Sequence, residues 1–257
     1  MKIVDCFIFY NEIDLLTYRL HVLNEVVDYF VIVESIRTFM GNPKKIYYEP
    51  QAFQEFQHKI IHVIVDVPFP HANAKEVWEN ECAQRNAIAQ GIVQIPLENS
   101  DILMITDVDE IPDPRTLLAI KQGIPITIHS LQMDMYYYHL RAQLKEKWTL
   151  SKILSYKKYN ELQKTCNEIR KMECPLLMNG GWHLSYFGDA SFISNKIKQF
   201  SHQEYNTPVF TNEARIDRSI HHGTDLYARP CFKMNNIKLE ENTYLPVNYS
   251  LYLQKYC

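Results

Sequence analysis

DILMITDVDEIP, residues 101–112, runs from an apolar stretch into a tight group of acids. Residues 101–106 read as a buried strand, and Asp107, Asp109 and Glu110 follow at its carboxyl end. In an open parallel sheet that end forms the ligand crevice. Side chains two apart on a strand point the same way, so Asp107 and Asp109 are expected to converge. Converging carboxylates suit a hard divalent cation, Mn²⁺ or Mg²⁺, which can neutralise charge on a departing diphosphate. Glu110 is a candidate general base beside them. The competing reading is a solvated acidic turn before the next helix, though Asp113 can cap that helix alone.

Working outward, strands and helices alternate. Residues 2–9, 29–34 and 59–67 read as buried strands, the last closed by Pro68 and Pro70. Residues 13–26 carry Leu16, Leu20, Leu23 and Val27 at helical spacing. Residues 50–57 read as a short helix, 74–90 as a helix ending at Gly91, and 112–122 as a helix ending at Gly123. This rhythm predicts an α/β fold, a mostly parallel central sheet with helices on both faces. The second half is less regular. Residues 125–139 and 176–186 are expected to hold strands, and 191–200 and 212–220 short helices; the lysine-rich stretch 144–173 shows no period. One domain is expected over residues 1–257.

Composition excludes several classes. A hydrophobic share of 46% supports a core, and a net charge of -3 gives no footprint for nucleic acid or an anionic membrane. No apolar run reaches membrane-spanning length, and the opening segment is too short for a signal peptide or anchor. Cys6, Cys82, Cys166, Cys174, Cys231 and Cys257 form no metal-binding spacing and read as reduced thiols in a cytoplasmic protein, with a Cys166–Cys174 disulfide the less favoured alternative.

Other side chains are candidates by position. Phe9, Tyr10 and Asn11 follow the first strand; an aromatic there can stack on a nucleotide base and Asn11 can read its edge. Equally, Phe9 is core and Asn11 opens the helix. Glu34, ending the second strand, can meet a ribose or base, or be a plain surface carboxylate. Lys44 and Lys45 are a solvated pair or approach a diphosphate. Arg85 can fork onto a phosphate or onto Asp107, or pair with a neighbouring helix. In Gly180-Gly181-Trp182-His183, paired glycines allow close backbone approach to a ligand, and the indole face suits a sugar. His183 can serve as a third metal ligand or orient an acceptor; a buried Trp beside a core His is the plainer reading. His202, Glu204, His221 and His222 are weaker candidates. Asp189, after a glycine-flanked turn, is the preferred base for an inverting transfer.

Two enzyme classes use strand-end aspartates this way: metal-dependent glycosyltransferases and haloacid-dehalogenase-like phosphatases. A mid-chain motif continuing as Glu-Ile-Pro favours the first. A non-catalytic carbohydrate-binding protein of the same fold is a further alternative, which intact Asp107 and Asp109 argue against.

Several segments together resemble glycosyltransferase family seventeen, the β-1,4-mannosyl-glycoprotein β-1,4-N-acetylglucosaminyltransferases. They are CFIFYNEIDLLTYRLHVL (6–23), VIVESIRTFMGNPK (31–44), ENECAQRNAI (79–88), ITDVDEIPDP (105–114), GGWHLSYFG (180–188) and KIKQFSHQEYN (196–206). The resemblance implies a GT-A-like nucleotide-diphospho-sugar transferase fold, a UDP-N-acetylglucosamine donor, Mn²⁺, and inversion at the anomeric carbon. Residues 1–123 would then bind the nucleotide-sugar and 124–257 a glycan acceptor. Animal members carry an N-terminal anchor, so this chain is expected to be a bacterial or viral relative with its own acceptor. Oligomeric state is not legible.

Overall fold

Strand Ile3–Phe9 (β1) is apolar on both faces because both faces are covered. Ile3, Phe7 and Phe9 pack with Leu15, Leu16 and Leu20 of helix Ile13–Leu23 (α1). Val4, Cys6 and Ile8 face a second core containing Ile88 and Ile92. Strands Tyr29–Ser35 (β2), Ile60–Val65 (β3) and Ile102–Asp107 (β4) join β1 in the order β3-β2-β1-β4, every pair parallel. This is the doubly covered parallel sheet that the apolar runs predict. The computed structural model describes residues 1–230 and 232–257, so the reduced thiol expected at Cys231 lies outside the described residues.

Between β3 and β4 run helices Glu76–Asn86 (α2) and Ile88–Ile92 (α3). The single helix expected over 74–90 is therefore broken at Ala87, and Gly91 does not end it. Gly91 lies inside α3, where a Cβ would come within 2.3 Å of the Val31 side chain; it permits close helix–sheet packing. The segment Pro50–Lys59 is a 3₁₀ helix interrupted at Phe53.

After β4 come strand Glu110–Pro112 (β5) and helix Pro114–Lys121 (α4), capped by Asp113 through its bond to Arg115 N. Strands Ile128–Tyr137 (β6), Ala142–Leu144 (β7) and Lys152–Ser155 (β8) extend the sheet antiparallel from β4, in the order β8, β6, β7. The aperiodic stretch holds β8 and helices Tyr156–Leu162 (α5) and Cys166–Lys171 (α6). Strand Leu176–Ser185 (β9) pairs with β6 in parallel and with β5 antiparallel. Helices Ala190–Gln199 (α7) and Glu213–His222 (α8) bury Ile193, Ile197 and Ile216 in a third core with Tyr137 and Tyr186. The short strand Met234–Asn236 (β10) edges β7, and helix Tyr249–Tyr252 (α9) returns to α1, where Tyr18 donates to Val247 O. The five described cysteines are free, and no helix among the described residues is long and apolar enough to cross a membrane.

Candidate active site

The acidic stretch is not a strand throughout. β4 stops at Asp107, and Val108 and Asp109 form a turn, so the alternation expected of Asp107 and Asp109 does not apply. A buried arginine holds the turn. Arg19 donates through Nε and Nη2 to Asp5 at 2.7 and 2.6 Å, and through Nη2 to Thr106 Oγ1. Its Nη1 reaches the carbonyls of Asp107, Val108 and Glu110. A guanidinium suits this work because it carries five donors in a fixed plane. Asp5, a carboxylate inside an apolar strand, was the one trace of Arg19 in the sequence, since a buried charge needs a partner.

The three acids meet different partners. Asp107 accepts from Arg85 Nη2 at 3.1 Å and Arg170 Nη2 at 2.8 Å, with 26% of its side chain exposed. Asp109 lies 3.0 Å from Lys196 Nζ and 3.6 Å from His183 Nε2. Burial alone would raise its pKa; the charge of Lys196 and then His183 hold it well below the carboxylate range. Lys196 also pairs with Glu12 at 3.0 Å. Glu110 is fully buried and accepts from Trp148 Nε1 at 2.6 Å, Ser151 Oγ at 2.7 Å, Arg170 Nη1 at 2.8 Å and Asp107 N at 3.0 Å. Burial opposes its charge, but Arg170 outweighs it and brings the pKa down to about 2. The expectation of Glu110 as a base is corrected: it is an enclosed anion that fixes its neighbours.

Asp107, Asp109, Arg85, Arg170, Lys196 and His183 line one cavity of about 490 Å³ at the carboxyl end of the parallel strands. Phe9 and Tyr10 reach its edge; the Phe9 ring is core, whereas the Tyr10 hydroxyl accepts from Asn195 Nδ2 at 3.1 Å. Arg85 takes the second of its expected partners, bridging Glu81 and Asp107. His202 sits at the rim, paired with Glu204 and packed against Trp78.

Other expected residues lie elsewhere. Trp182 is 0% exposed, donates from Nε1 to Tyr244 O, and packs on the Tyr244 ring. It is core and offers no face to a sugar. Its paired glycines serve the sheet: at Gly181, with φ +133°, a Cβ would stand 2.1 Å from Ile111 O, and at Gly180 it would meet the Leu131–Gln132 backbone. Glu34 is buried away from the cavity, where it pairs with Lys44 at 2.7 Å and His62 at 3.3 Å and accepts from Tyr47 N and Tyr48 N. It organises the segment after β2 and lines none of the pockets described, while Lys44, its partner, borders a small pocket of about 70 Å³ with Phe9 and Tyr10. Asp189 caps α7 by accepting from Phe192 N at 2.8 Å. With Asn11 it borders a separate pocket of about 180 Å³, so neither lines the main cavity. Asp107, Asp109 and His183 do not assemble as a ligand triad. Among the described residues no three His, Cys, Asp or Glu side chains gather as for a metal ion, because two arginines hold Asp107 while Lys196 and His183 hold Asp109.

Sequence reading missed Arg170, Lys196 and Trp148. Arg170 sits on α6 inside the aperiodic stretch, where the signal available was the capping box Thr165-x-x-Glu168. Lys196 opens the segment 196–206 that carries part of the family resemblance, but neither it nor Trp148 left a signal of its own.

Glycosyltransferase family 17 has a family model that matches residues 1–233. The chain belongs to glycosyltransferase family 17. The resemblance read from the sequence is borne out. Over 140 residues it is 29% identical to the β-1,4-mannosyl-glycoprotein 4-β-N-acetylglucosaminyltransferases of Homo sapiens and Rattus norvegicus. The matched region is 52% of this chain and 25% of each relative, so the chain spans about a quarter of their length. Among solved structures, HddC from Yersinia pseudotuberculosis aligns at TM-score 0.36 and 12% identity, covering 71% of this chain and 90% of that one. Glucosyl-3-phosphoglycerate synthase from Mycobacterium tuberculosis, in complex with Mn²⁺, UDP and phosphoglyceric acid, aligns at 0.24 and 14%, covering 53% and 43%. Likenesses this weak carry no weight for function.

Proposed function

We propose that the main cavity transfers a sugar from a nucleotide-diphosphate donor, UDP-N-acetylglucosamine, to a glycan hydroxyl with inversion. One observation carries this reading: two carboxylates and three fixed cations, Arg85, Arg170 and Lys196, surround one cavity at the carboxyl end of the parallel strands. A diphosphate is the ligand class that such an arrangement of mixed charge suits. The names of the curated relatives support N-acetylglucosamine as the sugar. In this reading residues 1–123 form the donor half and 124–257 the acceptor half of a GT-A-like domain.

A divalent cation completed by substrate phosphates needs only one or two protein carboxylates, so the lack of a three-ligand cluster among the described residues is compatible with one here. Asp109 and the exposed side of Asp107 face the same cavity and would hold it. Mn²⁺ or Mg²⁺ there would supply charge neutralisation for the leaving UDP. Arg85 and Arg170 hold Asp107 in place, and Arg19 holds the turn that carries Asp109. His183, the imidazole beside Asp109, lines the same cavity and in its neutral form would take the proton of the acceptor hydroxyl.

Calorimetry with UDP-N-acetylglucosamine tests the reading. Binding should require Mn²⁺ or Mg²⁺ and weaken at least about tenfold, roughly 1.4 kcal/mol, in Asp109→Asn. Equal affinity in the variant, or equal affinity after chelation, would remove the metal assignment. Absence of transfer or hydrolysis with any UDP-sugar would remove the donor assignment.

A further inference from the structure

Trp148 lines the main cavity, and neither the cation nor the diphosphate reading uses it. Its backbone is bridged to Met133 of β6 through both its N–H and its C=O: Met133 N donates to Trp148 O at 2.9 Å, and Trp148 N to Met133 O at 3.0 Å. Its indole N–H donates to Glu110 Oε1 at 2.6 Å, and Glu110 is itself fixed by Arg170 and Ser151. The His183 ring packs against the indole at a centroid distance of 4.5 Å and an angle of 53°, while its Nε2 stands 3.6 Å from Asp109. Trp148 is thus half-buried, oriented before any ligand arrives, and linked to Asp109 through the His183 ring. The other two tryptophans are placed differently. Trp182 is fully buried, and Trp78 stands on α2 at the rim against His202.

A pyranose carries apolar C–H faces between rims of hydroxyls. An indole face already fixed in position can cover such a surface without losing side-chain freedom on binding. The Trp148–His183 corner also sets a hydrogen-bonding imidazole beside that face, within reach of sugar hydroxyls.

We propose that Trp148 is the platform for a pyranose ring beside the Asp109–His183 pair, the ring belonging to the donor's transferred sugar or to the acceptor. The assignment rests on the glycosyltransferase reading of the cavity. Trp148→Ala and Trp148→Phe in the full chain test it, with calorimetric Kd for UDP and for UDP-N-acetylglucosamine in Mn²⁺, and acceptor KM and kcat over a glycan panel. UDP affinity should hold in both variants. In Trp148→Ala, a loss of about tenfold in UDP-sugar affinity relative to UDP places the donor's sugar on the indole. An acceptor KM raised by about tenfold at unchanged donor affinity places the acceptor there. Trp148→Phe, which keeps an aromatic face, should recover most of the loss. UDP-sugar affinity and acceptor KM both within about twofold of the parent would overturn the platform while leaving the transferase intact. Should Trp148→Ala fail to fold, indole fluorescence of the Trp78→Phe chain gives the second readout, with buried Trp182 as the constant background. A change on adding UDP-sugar or glycan beyond that caused by UDP supports the platform, and no such change overturns it. A chain that neither binds nor turns over any UDP-sugar refutes the transferase reading, and the platform with it.

Discussion

At the scale of single residues, identical side chains take opposite roles according to what the sheet does around them. Trp182 lies in the buried half of β9, preceded by two glycines that let the strand approach β5 and β6, and its indole N–H is spent on Tyr244. Trp182→Ala should therefore cost about 3–5 kcal/mol in urea unfolding, with acceptor KM unchanged in the folded protein. A stable variant with impaired acceptor kinetics would restore the sugar-platform reading of Trp182. Asp189 gives a milder contrast. As an N-cap, Asp189→Ala should lose about 1 kcal/mol, and kcat should stay at the parent value; a collapse of kcat without loss of fold would return it to the chemistry. The sequence revealed Asp107 and Asp109 because acids directly after an apolar strand are a local signal. It did not reveal the cations that meet them. Arg170 comes from 63 positions away and Lys196 from 87, and no local period encodes such a meeting.

At the scale of elements, the parallel strands were legible because each is an apolar run, with β1, β2 and β4 covered on both faces and only edge strand β3 leaving Ile64 exposed, and their bounds fall within about two residues of the sequence reading. The C-terminal half was harder to read. Its strands are partly exposed, and two of them, β7 and β10, are only three residues long. What ties strand ends to the site is charge. Arg19→Lys keeps a cation for Asp5 but cannot also span three carbonyls. It should lose about 3 kcal/mol of stability and weaken donor binding, measured by urea titration and calorimetry; unchanged donor affinity would show that the acidic turn holds its own shape. Glu34 at the end of β2 gives a pH prediction. Burial would raise its pKa, but bonds from His62, Lys44 and the Tyr47 N–H outweigh that and lower it below 4.5. A carboxyl depressed on folding contributes stability at neutral pH and loses it as pH falls through and below that ordinary value. Glu34→Gln should thus be less stable than the parent by about 3 kcal/mol at pH 7, with the gap closing toward acid. A gap that does not depend on pH would mean that Glu34 acts by shape alone.

At the scale of the whole molecule, α7 and the turn after it join the two halves across the mouth of the main cavity. Asn195 donates to the Tyr10 hydroxyl at 3.1 Å, Lys196 reaches Glu12 and Asp109, and Asn42 donates to Gln199 at 3.2 Å. Ser201 bonds Glu81, and His202 packs on Trp78 at 4.7 Å. The outer links, Asn42–Gln199 and His202–Trp78, reach solvent and are individually weak, in contrast to the buried Lys196 pairs and to Ile193 and Ile197 that anchor the helix. Segments held in this way open at low free-energy cost while the core stays closed. On the proposed function, a donor bound at Asp107 and Asp109 would meet Lys196 and the lining residues Phe200 and Ser201, which should shift the segment toward its closed state. Hydrogen exchange read by mass spectrometry should therefore slow in residues 195–205 and 37–44 when UDP-N-acetylglucosamine and Mn²⁺ are added, while residues 128–137 of β6, already paired on both sides, should not change. Asn195→Ala with Ser201→Ala should speed exchange of 195–205 in the free protein and raise the donor off-rate several-fold, because two links across the mouth are gone. If exchange in 195–205 ignores the donor, and the double variant releases it at the parental rate, the bridge is a static buttress and donor entry does not pass beneath it.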